Sequence, residues 1–133
     1  MSGVAIVRYL LANNANLVAA VPASRIKAGV LPLDIALPAI SVSEVSGEEH
    51  NNVAMDFDTT LITSRAEVLV KATTYPSKKS ILELVRKALP NTSGTVHGFV
   101  VDSIIPEATG PDDDDADLTI YTQGKKFAVR FRV

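Results

Sequence analysis

The chain contains no cysteine and no tryptophan. Without cysteine it has no disulfide framework, no thiolate nucleophile and no zinc–thiolate site. Aromatic residues make up 5% of the sequence, so the core must be built from Val, Ile, Leu and Ala. Such small aliphatic material suits a thin, layered domain with helices packed on a sheet. Charge is scarce in one direction only slightly: the formal net charge is −2, which argues against a protein that binds nucleic acid by neutralising phosphates. Long apolar runs are also missing. The N-terminal stretch over residues 3–12 is broken by Arg8 and preceded by no basic segment, and reads as neither a signal peptide nor a membrane span. The expectation is a soluble protein made in the cytoplasm, for which the sequon at Asn91-Thr92-Ser93 carries no meaning. The 133 residues form one domain, long enough to bury about two-thirds of its unfolded surface without a metal or disulfide.

What is present is a clear change of side-chain period. Ala66, Val68, Val70 and Ala72 alternate with Arg65, Glu67, Leu69 and Lys71, which gives a strand one small apolar face. After Thr73-Thr74-Tyr75-Pro76, residues Ile81, Leu84, Val85 and Ala88 recur at helical spacing, and Leu89-Pro90 closes the helix. No glycine-rich phosphate loop lies at this junction.

Upstream, Ile6, Val7, Leu10 and Leu11 predict an amphipathic helix of about three turns. A shorter helical turn over residues 14–21 stops at Pro22, a short strand follows over 25–30, and Pro32 and Pro38 keep the next connection extended. Residues 39–45 predict a strand ending at Ser46-Gly47, residues 47–58 an irregular stretch, and residues 60–74 an extended run with a bend at Ser64-Arg65. At about 3.3 Å per residue that run exceeds an ordinary strand. Residues 39–74 therefore read as a long two-stranded ribbon whose base joins the main sheet and whose tip stands out. Such a tip has little core of its own and invites a neighbouring subunit. Its candidate interface residues are Glu48, Glu49, Val53, Met55 and Phe57.

Residues 94–105 predict a central strand with Phe99, Val101 and Ile105 on one face and Val96, Val100 and Ile104 on the other, ended by Pro106. The last strand alternates Phe127, Val129, Phe131 and Val133 with Lys126, Ala128, Arg130 and Arg132. The fold class expected is α+β: a mainly antiparallel sheet with two helices on one face and a long protruding β-ribbon, in one domain over residues 1–133.

No catalytic, cofactor or metal residue emerges. There is no Gly-x-Ser-x-Gly elbow. His97 reads as a partly buried strand residue, and His50, although close in sequence to Glu48, Glu49, Asp56 and Asp58, lacks metal-ligand spacing. Asp113, Asp115 and Asp117 match the first positions of a calcium loop, but Leu118 and Gly124 stand where that loop needs Gly and Glu. Lys78, Lys79, Arg86 and Lys87 fall on or near the exposed side of the second helix, without interleaved aromatics for base stacking. The acidic residues Asp112, Asp113, Asp114 and Asp115 are expected in water, as a channel lining or a partner surface.

The chain resembles the tail-completion, or tail-terminator, proteins of long-tailed (siphovirus-type) bacteriophages. The resemblance rests on Tyr9-Leu10-Leu11-Ala12-Asn13-Asn14, on the strand-plus-proline segment from Arg25-Ile26 to Leu37-Pro38-Ala39-Ile40, and on Ala72-Thr73-Thr74-Tyr75 with the helix after it. The final Lys126-Phe127-Ala128-Val129-Arg130-Phe131 strand completes it. The acidic run lies outside the family pattern. The resemblance implies a structural virion protein that forms a ring, hexameric in this family, at the head-proximal end of the tail. There it ends tube growth and joins the tail to the head. The implied partners are further copies of itself, the tail tube protein and the head–tail connector, with DNA only as the passing genome and no membrane. The alternative is a non-catalytic α+β adaptor elsewhere in the virion neck, or a cellular binding module.

Overall fold

A computed structural model describes residues 2–32, 35–50, 61–91, 93–115 and 117–132. The elements in order are α1 (Ser2–Ala12), α2 (Ala15–Ala20), a 3-10 turn (Ala23–Arg25), β1 (Ile26–Ala28), β2 (Ala39–His50), β3 (Leu61–Ala72), α3 (Tyr75–Ala88), β4 (Gly94–Val96), β5 (Phe99–Thr109), β6 (Asp113–Asp115) and β7 (Ile120–Arg132). The strands form one sheet in the order β1-β2-β3-β7-β5-β4, with β6 also on β7. Among the described residues, only the β1–β2 pairing is parallel. This is the α+β class that the sequence predicts.

One face of the sheet carries the core. Ala66, Val68, Val70 and Ala72 of β3 are fully buried, as their alternation requires. They meet Ile40 and Val42 of β2, Phe127, Val129 and Phe131 of β7, and the helices. Helix α1 contributes Ile6, Val7 and Leu11, and α3 contributes Ile81, Leu82, Val85 and Ala88. Between them lies α2, capped by the Asn14 side chain, which accepts from the Leu17 N–H and so satisfies an otherwise orphan donor. Helix α1 approaches β3 so closely that a Cβ added at Gly3 would lie 2.3 Å from Ser64 Oγ. Only hydrogen fits there.

The ribbon is longer and better supported than expected. β2 does not stop at Ser46-Gly47 but continues to His50, paired with β3 to the end (His50 opposite Leu61). Cross-strand hydrogen bonds override the weak strand propensity of Gly-Glu-Glu-His. The irregularity lies not at Ser64-Arg65, since β3 runs in unbroken register against β7 from Leu61 to Ala72. It is a bulge in β2 between Glu44 and Ser46, directly opposite Ala66 and Arg65. The ribbon's β3 is thus backed by β7 over its whole length, while the short β1 pairs with β2 only from Ile40 to Val42.

The expected single strand over 94–105 is instead a hairpin. His97 and Gly98 have φ of 50° and 82°, and Val96 pairs with Phe99, as in a two-residue loop that needs two positive φ values. The register slips again between Val101 and Ser103. One extra residue, Asp102, flips the side-chain parity, so Val101 and Ile104 share the buried face while Val100 and Ile105 are exposed. Nor does Pro106 end the strand: β5 runs to Thr109, because β4 covers it only as far as Val101 and leaves an open edge where a missing N–H is harmless.

Candidate functional site

The densest polar constellation lies where the N-terminus of α3 meets β6. Thr74 is extended and caps the helix, its Oγ accepting from the Ser77 N–H; Pro76 in the first turn has no N–H to leave unsatisfied. The first turn contains no acidic residue, although a helix N-terminus favours negative charge. That charge arrives from a distant part of the chain. Lys78 Nζ donates to Asp112 Oδ1 and to Asp114 Oδ1, both at 2.7 Å. Lys79 Nζ donates to Asp112 at 2.9 Å and to Gln123 Oε1 at 2.6 Å. The Tyr75 hydroxyl donates to Asp112 Oδ2 at 3.1 Å, and its ring lies 4.5 Å from Lys78 Nζ, within cation–π range. The Thr122 N–H donates to Asp114, and the Gln123 amide donates to the Gly110 carbonyl, so β6, its preceding loop and β7 are tied to the same point.

Lys78 corrects a sequence expectation. Placed on the exposed side of the helix by sequence reading, it is in fact fully covered, because 78, 81, 82 and 85 fall on one helical stripe. The cover is shallow: the carboxylates over it are 39% and 25% exposed. Burial works against the ammonium charge, but the hydrogen bonds to Asp112 and Asp114 outweigh it and the net shift of its pKa is upward. The pKa of Lys79 is also raised, chiefly by Asp112. Asp112 is held well below the usual carboxylate range, by Lys78 first and then Lys79, against a smaller opposing effect of burial.

The acidic run is therefore not simply in water. Asp112 and Asp114 turn toward α3, whereas Asp113 and Asp115 pair with Thr122 and Ile120 of β7, on the face of the sheet away from the helices. Both are exposed. Asp115 accepts from the N–H groups of Asp117 and Leu118, making a tight turn. Among the described residues, Asp113, Asp115 and Asp117 make no ion pair, and no group of His, Asp or Glu could hold a metal.

Next to this clamp, between α3 and the adjoining ends of β5 and β7, is an open cleft of about 340 Å³ lined by Lys79, Leu82, Glu83, Arg86, Thr109, Gln123 and Lys125. Arg86 pairs with Glu83, and Lys87 and Lys125 both act on Glu83 electrostatically. Among the described residues, Lys125 Nζ donates to Thr109 Oγ1 alone. A second cleft of about 280 Å³ lies over α1, between Ala28 of β1 and His97. The two edges of the sheet therefore curl toward each other around that helix. His97 is not a strand residue but an exposed turn residue, its ring 4.8 Å from that of Tyr9.

Glu48 and Glu49 belong to β2, opposite Thr63 and Ile62. Val53, Met55 and Phe57 lie outside the described residues. Among the described residues, no helix is long and apolar enough to cross a membrane.

No protein-family model matches the chain, and no curated protein matches it. Among solved structures, it is similar to a chain of the virion of a native gene transfer agent particle. The TM-score is 0.72 over 99% of this chain and 97% of that chain, with 16% sequence identity. The likeness is one of fold, and it extends from end to end.

Proposed function

We propose that the protein is a structural component of a phage-type virion and acts by assembly rather than by catalysis. The observation that carries this is the end-to-end likeness to a chain of a gene transfer agent virion. That neighbour is a chain of a virion, which agrees with the virion role that the tail-terminator resemblance of the sequence implies. In the finer reading, copies form a ring, hexameric as in that family, at the head-proximal end of the tail tube. The ring ends tube growth and meets the head–tail connector, and the genome passes through it. Among the described residues, β2 from Ser46 onward has a strand partner on one edge only, which supports the ribbon as one subunit contact, since such a strand edge favours pairing with another chain. Asp113 and Asp115, facing away from the helices, form the channel or partner surface. The site of action is the virion, after assembly in the host cytoplasm.

Native mass measured across a concentration series, with negative-stain images of the same samples, tests this reading. A closed ring of defined order is expected, alone or on tail tubes. A protein that stays monomeric throughout, even with tail tubes present, overturns it. Replacing both His50 and His97 by Ala is expected to leave assembly intact; loss of joined particles from a folded double variant overturns the non-catalytic assignment.

A further inference from the structure

The charges at the α3–β6 corner sort into two surfaces that lie back to back. On the helix side, Lys78 and Lys79 are matched by Asp112 and Asp114, so those four residues cancel. What remains around the cleft is Arg86, Lys87 and Lys125 against the single carboxylate of Glu83, an excess of two positive charges. On the opposite side of the sheet edge, strand alternation presents Asp113 and Asp115, and the turn adds Asp117, with no ion pair among the described residues. That is an excess of three negative charges along an exposed sheet edge, an acidic ridge.

We propose that the acidic ridge of one copy seats in the cationic cleft of the next, with Asp113 and Asp117 facing Lys125 and Arg86. The occupant is a second copy of this chain because both halves of the complementary pair are present in it. The surfaces differ and point in opposite directions, so the contact cannot be two-fold. It is heterologous, and repeated head-to-tail contacts close into a ring when the rotation per step permits. This deepens the ring reading above and rests on it. It also explains why the acidic run is folded as a strand: pairing with β7 separates the odd from the even carboxylates, sending one set to the lysine clamp and the other outward.

Charge reversal tests the contact. Lys125→Glu reduces the cleft to neutrality, and the double variant Asp113→Lys/Asp117→Lys makes the ridge cationic while leaving the turn bonds of Asp115 in place. All three positions lie outside the apolar core, so both variants should melt close to the wild type. Each alone should assemble at least about tenfold more weakly, and wild-type assembly should weaken with added salt. Mixed in equal amounts, the two should co-assemble better than either alone, in rings of alternating composition readable by native mass: the acidic ridge of the Lys125→Glu chain meets the intact cationic cleft of the double variant, and the cationic ridge meets a neutral cleft instead of a repelling one. Wild-type rings whose stability is unchanged by either variant overturn the contact and leave the ring reading standing. A wild type that never leaves the monomeric state overturns both.

Discussion

Replacing Lys78 by Met removes the ammonium of the clamp while keeping the unbranched apolar stem. The variant leaves Asp112 with Lys79 and Tyr75, but Asp114 loses its cation and, among the described residues, keeps the Thr122 N–H alone. Removing one partner of a fully buried ion pair costs about 3–5 kcal/mol. Here the orphaned carboxylates are 39% and 25% exposed and can be rehydrated, so we expect about 2 kcal/mol. Unfolding entropy of about 2.1 cal/mol/K per residue over 133 residues converts this to a fall in Tm of about 7 °C. The assay is a pair of thermal melts, with Asp112→Asn/Asp114→Asn introduced into both the wild type and the Lys78→Met background. Coupling requires the two asparagines to cost much less once Lys78 is gone. The pH dependence follows from the signs of the shifts. Asp112 is depressed when folded, so its contribution is present above the unfolded value of about 3.9 and fades as pH falls below it. Lys78 is raised when folded, so its contribution is present below the unfolded value of about 10.4 and is lost as pH climbs beyond it. A Lys78→Met protein that melts within 2 °C (about 0.6 kcal/mol) of the wild type, or strictly additive effects with the asparagines, refutes the clamp.

Two further outcomes follow from single contacts. Gly3→Ala should destabilise by about 1–3 kcal/mol through overpacking against Ser64, and Ser64→Gly in the same molecule should recover part of that loss; equal melts for the single and double variants would contradict the close approach. Thr74→Ala should cost about 1 kcal/mol by removing the α3 cap, read by chemical denaturation, whereas Thr74→Ser should cost little.

The sequence reading succeeds where a period repeats and fails where one residue changes the count. The stripe of Ile81, Val85 and Ala88 and the alternation around Val68 and Phe127 are both buried as expected, because helix and strand periods act over several residues. Asp102 and Val45 are single insertions whose effect is set by the partner strand, which no local pattern contains. The hairpin at His97-Gly98 was masked by apolar residues on either side and by a turn pair other than Asn-Gly or Asp-Gly. Lys78 was legible in principle. A lysine in line with an apolar stripe, in a first helical turn without acidic residues, requires an anion from elsewhere, and the chain has one concentrated source at Asp112 and Asp114.

β7 holds β3 on one side and both β5 and β6 on the other. The central strand is thus made after all of the strands that it joins. While the ribosome is still producing residues before Ile120, β3 has β2 along one edge but no neighbour along the other, and Ala66, Val68 and Val70 have half a layer to pack in. Such long-range pairing is slow to form and exposes apolar surface while it waits. The lysine clamp cannot close any earlier, because its carboxylates sit on a strand that β7 positions. Synthesis of residues 120–132 therefore acts as the timer of the subunit: the core, the acidic ridge and the cleft become available together.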